Sequence, residues 1–367
     1  MARERHRWHP ICEPPQNLFR PVRIDPTGMR GPTPGQARGQ KWRRSSFGLY
    51  VPADVDPDVP EQRILEGAAR LQPGGAVTAW SACRILGATF FAGLRADRRT
   101  LVPIPLCPGT GRRLSHESGC RVSRDRLFAK EIVTRQGIPC AVSVRALFDE
   151  MRYAPHLREA VVAMDMMAAA ELVSIRQMLA YSGSHPGWQG VEQVRRALPL
   201  ASENSRSPNE TRMRLIWELD AGLPRPLVNT PVFTPEGRLL GYPDILDAEA
   251  GVVGEFDGAD HRSGLRQSKD VAREDGFRRS GLEYFTITGP DMGRRALVAD
   301  RMLATRRRAL FLPAERRLWT IDPPDWWQPE PTLDQILTER TFTKQLHAQW
   351  DLEGAPQIGS TPGWSPR

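Results

Sequence analysis

Cysteine is scarce in this 367-residue chain: five residues, at positions 12, 83, 107, 120 and 140, and no C-x-x-C pair. That spacing excludes the usual zinc-ligand patterns and a disulfide framework, and it fits reduced thiols in a cytosol. Long apolar runs are missing too. No apolar leader opens the chain. The most apolar stretch, residues 160–173, carries Asp165 and Glu171 and is too short to span a bilayer, so a buried helix is expected there. These absences point to a cytoplasmic protein with no membrane partner. No internal repeat and no Walker phosphate loop occurs. What remains is a length sufficient for two or three domains and a hydrophobic fraction of 40%, a little under that of an ordinary globular protein.

The charge is unevenly placed. The chain carries a formal +8, and ten Lys or Arg against three Asp or Glu in residues 1–50 account for +7 of it. Basicity therefore belongs to an arm, which suggests an anionic partner for that arm. The arm is rich in Pro and Gly and lacks periodicity until about Lys41, so disorder is expected at least to residue 38. It reads equally as a tether to DNA phosphates and as a solvated tail, and Met29 offers an alternative start.

Four segments follow from composition and pattern: the arm (1–42), a mixed, mainly helical domain (43–200), a second domain (201–312) and a Trp/Pro-rich extension (313–367). In the first domain, helical spacing marks 60–71, 79–86, 145–151, 156–179 and 191–198, with Ser143 as a candidate N-cap, and strands are expected at 100–106 and 137–142. Residues 201–207 read as a linker. In the extension, Trp319, Trp326 and Trp327 could stack on bases, but packing over the preceding domain is the commoner use of such large side chains. The last dozen residues read as disordered.

The second domain gathers acids where chemistry could use them. Ser207-Pro208-Asn209-Glu210 opens a helix as a capping box with Pro at its first position. Strands are expected at 227–233, 238–246 and 252–257, then a helix at 267–280 ended by Gly281, then a strand at 282–288. Glu255 and Asp257 are two apart, so they leave the same face of their strand, with Phe256 turned to a core. A turn centred near Glu249 and Ala250 sets Asp244 opposite Glu255, where Cβ atoms of paired residues lie about 4.5–5.5 Å apart. Crowded carboxylates repel and are costly to desolvate. A hard divalent cation such as Mg2+ or Mn2+ would compensate them.

This order resembles the PD-(D/E)XK nuclease core. More narrowly, E-F-D-G-A-D-H from Glu255 and K-D-V-A-R-E-D-G from Lys269 resemble a bacterial family related to the Vsr mismatch endonucleases, with its E-x-D-G-x-x-H block and D-x-x-R helix. The resemblance covers about residues 205–292. It implies an α/β (α+β) fold with an αβββαβ restriction-endonuclease-like core. It also implies a DNA endonuclease in which Asp244 and Glu255 hold the metal and Glu210 or Asp257 assists, with His261 or Lys269 orienting the water. The usual Lys of the signature is replaced here by Asp257. Further upstream, R-R-S-S-F-G-L-Y-V-P-A from Arg43, A-V-T-A-W-S-A-C-R-I-L-G from Ala76 and I-P-C-A-V-S-V-R-A-L-F-D-E-M from Ile138 resemble the AbiEi-type antitoxin family, which implies a DNA-binding regulator.

Each residue also has a plainer reading. Glu210 can simply cap its helix, and Asp257 can begin an Asp-Gly turn. His261 is more often a loop or structural histidine than a general acid. Asp270 and Arg273, three apart, read as a helix-surface pair, with phosphate contact by Arg273 as the alternative. Arg145 and Asp149 form an i,i+4 helix pair without any binding role. Acids as apolar-flanked as Asp244 and Glu255 are rarely buried without a partner, which favours function there. The expectation is thus a metal-dependent endonuclease or, alternatively, a non-catalytic DNA-binding regulator on a degenerate nuclease fold. Room is left for a homodimer and, through the antitoxin resemblance, a toxin partner.

Overall fold

The chain mixes α-helices with short strands. A computed structural model describes residues 18–95, 97, 99–109, 113–115, 119–258 and 264–353, the side chains of 264–270 and 344–353 excepted. The N-terminal half begins with a hairpin of β1 (Trp42–Ser46) and β2 (Leu49–Pro52). Next come α1 (Pro60–Ala68), β3 (Ala76–Val77), α2 (Ala79–Ile85), β4 (Ile104–Cys107), β5 (Cys120–Val122), β6 (Ile132–Arg135) and β7 (Ile138–Ala141). Strands β3 to β7 form one sheet in the order β5-β4-β3-β7-β6. Helices α3 (Ser143–Tyr153), α4 (Leu157–Ala169), α5 (Ile175–Gly183) and α6 (Val191–Ala197) complete this half.

The C-terminal half runs α7 (Pro208–Leu219), β8 (Leu227–Val228), β9 (Val232–Phe233), β10 (Leu239–Gly241), β11 (Ile245–Asp247), β12 (Val252–Asp257), α8 (Gly264–Arg279), β13 (Glu283–Thr288) and α9 (Arg295–Arg308). Its sheet has the order β13-β12-β11-β8. β11 and β12 are antiparallel, whereas β12 and β13 are parallel and joined through α8. Alternation along the strands sends Ile245, Val252, Phe285 and Ile287 to a core with Trp217 of α7 and Met302 of α9. The other face sends Leu246, Val253 and Tyr284 to Phe277 of α8 and to Trp319. Gly254 lies under the Phe285 ring, and a Cβ there would come 2.2 Å from it. Both halves share one compact unit that extends to Gln328, and a second unit from Pro329 contains α10 (Leu333–Glu353).

Several expectations need correction. The segment from residue 18 to 42 is ordered by turn chemistry rather than periodicity. Val22 and Tyr50 exchange backbone bonds of 2.9 and 2.8 Å. Gln62 holds both the N–H and the carbonyl of Phe19. The Asp25 carboxylate collects the N–H groups of Thr27 and Arg30, which lower its pKa, Arg30 foremost. The strand expected at 227–233 breaks at Asn229, whose φ of 47° suits an Asn but no strand. The one expected at 238–246 breaks before Ile245, where Pro243 has no N–H to give. Each break hands one piece to the β9–β10 hairpin and the other to the main sheet. The helix expected at 156–179 is two, interrupted at Glu171, where φ is 54°. Ser143 is the first residue of α3 and not its cap.

The apolar stretch at 160–173 forms a buried helix as far as Ala169, and its Asp165 is accommodated. Asp165 accepts from Arg214 (2.8 Å) and Thr211 (2.9 Å) of α7 and from the Ser202 N–H (2.7 Å). Residues 201–207, read as a linker, are therefore pinned to α4. Arg145 and Asp149 do pair at 2.9 Å, but both side chains are fully buried, and Asp149 also receives Thr78 and Arg152. No helix among the described residues is long and apolar enough to cross a membrane.

Glu150 gives a pH prediction. Its carboxylate accepts the Trp80 N–H at 2.9 Å, yet burial pushes its pKa up to about 7. The fold therefore keeps a proton that the unfolded chain loses near pH 4.5. Stability should fall as pH rises from about 4.5 to 7, by about 1–3 kcal/mol from this group. Glu150→Gln should remove that slope in urea titrations and be the more stable chain above pH 7. An identical pH profile for both chains would refute the assignment.

Candidate functional site

The turn between β11 and β12 sets the site. Asp247 accepts the N–H groups of Glu249 (3.0 Å) and Ala250 (3.1 Å), and Gly251 closes the turn with φ 79°. This fixes the pairs Ile245↔Gly254, Leu246↔Val253 and Asp247↔Val252. One step further along the same register, Asp244 stands opposite Glu255. Both occupy the sheet face that carries Leu246 and Val253, so their side chains leave on the same side. The Phe256 N–H donates to Asp244 Oδ2 at 2.7 Å, which fixes the carboxylate at the strand edge.

The electrostatics are unfavourable for two bare acids. Burial, then the charges of Glu210 and Glu255, hold the Asp244 carboxyl well above the usual carboxylate range. Glu255 is 8% exposed and takes a charge-assisted bond from Arg273 of α8. Arg273 thus turns inward to Glu255, and the side chain of Asp270, its expected surface partner, lies outside the described residues. The Arg273 stem crosses Gly241, where a Cβ would sit 3.0 Å from Arg273 Cδ and push that stem aside by a few tenths of an ångström.

Glu210 reaches the site from the start of α7. Ser207 caps the helix by accepting the Glu210 N–H at 3.2 Å. The return half of the expected capping box differs, since Glu210 accepts the Arg206 N–H (2.9 Å) and Asn229 Nδ2 (2.9 Å). Asn229 also donates its backbone N–H to the Asp244 carbonyl at 3.3 Å and so ties α7 to the strand of Asp244. Sequence reasoning missed Asn229. Its one local signal is an Asn between apolar strand residues, a residue type that tolerates left-handed backbone. Asp257 is exposed at the end of β12. His261 lies outside the described residues, and so does the side chain of Lys269.

Among the described residues no group of three or more His, Cys, Asp or Glu is gathered so as to hold a metal ion. The constellation is a pair, Asp244 and Glu255, with Glu210 near enough to act through its charge. Magnesium is commonly held by one or two carboxylates, with waters filling the other positions. A pair in which one member is destabilised by like charge is a donor set that such an ion fits. No protein-family model, curated protein or solved structure matches the chain.

Proposed function

We propose that the chain is a divalent-metal-dependent phosphodiesterase acting on DNA, with its centre at Asp244 and Glu255. The observation that carries this reading is the convergence of these two acids on one face of adjacent strands. The order α7, strands, α8 and the parallel β12–β13 pair supports a restriction-endonuclease-like core. Asp244 and Glu255 would hold Mg2+ or Mn2+, and Glu210 would add negative charge from behind. A metal bound there supplies polarisation of the scissile phosphate and a water of lowered pKa. The chain's own contributions are the Phe256 N–H that orients Asp244 and the Arg273 guanidinium, whose N–H groups can donate to a phosphate oxygen. His261 and Lys269 remain the groups proposed to orient the water. Incubation of the purified chain with supercoiled plasmid and magnesium tests the reading: nicked or linear product is expected with metal and not with chelator.

The second reading, a non-catalytic DNA-binding regulator with an AbiEi-like N-terminal half, is favoured by one observation. The position where the nuclease signature carries Lys is an exposed Asp, Asp257. Duplex binding with no metal-dependent cutting would select it.

Arg273 provides a separate prediction. Its guanidinium occupies the carboxylate that a metal would need, so the two cations compete. Arg273→Gln should tighten magnesium or manganese binding about 2- to 5-fold, the range expected for removal of a part-exposed ion pair. Calorimetry on the two chains measures this, and weaker binding by the variant would show that Arg273 supports the metal instead.

A further inference from the structure

The N-terminal half carries a cavity of about 590 Å³ lined by Arg124, Arg126, Phe128, His185, Trp188 and Gln189, among others. That volume is within the range of small-ligand sites. Two features give it chemical character. The first is a loop of alternating charge. Asp125 is engaged with Arg152 (2.6 Å), the Tyr153 hydroxyl (2.7 Å) and Ser123 (2.9 Å). Arg124 and Arg126 on either side of it are exposed and make no ion pair among the described residues. The Arg126 guanidinium lies 4.4 Å over the Phe128 ring.

The second feature is an aromatic wall held in place from the core. Trp188 receives the buried guanidinium groups of Arg145 (4.5 Å) and Arg152 (5.0 Å) on its ring. His185 meets it edge-on at 4.9 Å and stacks on Tyr181 at 4.3 Å. His185 Nδ1 is bound to the Tyr181 carbonyl (2.8 Å) and Ser184 (3.0 Å), and no partner among the described residues holds its Nε2.

We propose that this cavity binds a nucleotide unit, with the planar base against Trp188 and the phosphate between Arg124 and Arg126. Aromatic side chains stack on any base, and guanidinium pairs match phosphate oxygens. Phe128 and His185 border the base, and Gln189 offers its amide to the base edge. The site shares no residue with Asp244 or Glu255 and stands whether or not that centre cuts DNA. A nucleotide of this chemistry comes either free or within a single strand.

The test is calorimetric titration of the full chain with adenosine monophosphate, with a deoxythymidine ten-mer and with inorganic phosphate. Saturable binding of the monophosphate is expected, at least tenfold tighter than phosphate alone. The Arg124→Gln/Arg126→Gln double variant changes only exposed side chains and should weaken it at least tenfold. Trp188→Leu should abolish the advantage of nucleotide over phosphate, once a melting curve shows that the variant folds. A ten-mer bound much more tightly than the monophosphate assigns the site to a strand, and equal affinities assign it to the free nucleotide. No binding of either, or affinities unchanged in the arginine double variant, would overturn the proposal. Glu255→Gln should leave this binding intact, so the two sites fail or succeed separately.

Discussion

Glu255→Gln should bind magnesium on the order of 100-fold more weakly than the parent chain and convert no plasmid, and Asp244→Asn should do the same. A metal site of this kind contributes several kcal/mol through charge alone, so an isosteric amide removes the function while filling the same space. Each substitution spares the local geometry. An amide oxygen at 255 can still accept from Arg273, and one at 244 can still accept the Phe256 N–H. Stability should move the other way. Burial and the charges of Glu210 and Glu255 raise the free energy of the ionised Asp244, so neutralising Glu255 or Asp244 itself relieves the repulsion, and both variants should melt slightly higher than the parent. Gain of stability with loss of activity is the behaviour of a functional site held against its own electrostatics. Magnesium affinity within threefold of the parent in both variants would remove these acids from the mechanism.

Asp165→Ala carries the largest expected cost to folding, about 3 kcal/mol. The Arg214 guanidinium is fully buried and depends on Asp165 at 2.8 Å, with Glu218 and the Leu200 carbonyl as its other partners. Breaking a buried pair by deleting one member leaves an uncompensated charge, typically at 3–5 kcal/mol. The surviving acid, Glu218, keeps this case at the low end. Burial pushes the Asp165 carboxyl up, against Arg214 and the Ser202 and Thr211 donors, so the charge is held at some cost. The double variant Asp165→Ala/Arg214→Leu should therefore recover part of the loss. Urea midpoints of the parent, the single and the double variant give the coupling. A single-variant cost under about 1 kcal/mol would show that water reaches the pair.

The facing of Asp244 and Glu255 was legible in the sequence because it depends on local rules: an Asp-initiated turn, a Gly that closes it and the two-residue period of strands. The crossover from β12 through α8 to β13 was legible for the same kind of reason, with Gly281 ending the helix. What escaped was non-local. Nothing near Arg273 indicates that Glu255, 18 residues earlier, would take its guanidinium. Nothing near Asp165 announces Arg214. Of the five-stranded sheet of the N-terminal half only β4 and β7 were expected, at 100–106 and 137–142; β3, β5 and β6, of two to four residues, are too short to show alternation. The order in residues 18–42 comes from side chains capping turns and from Gln62 far along the chain, while composition registers only Pro and Gly.

Trp319 has a consequence for biosynthesis. Thr320 bridges to Phe233, and Trp327 lies edge-on to the same ring at 5.1 Å, so this strap seals the sheet face that holds Leu246 and Val253. All strands of that sheet have been translated by Thr288, yet the seal arrives only some thirty residues later. During that interval a nascent chain presents a greasy surface to the ribosome exit and to its neighbours. A premature stop after Leu312 would make that exposure permanent and leave a product that clumps or is degraded.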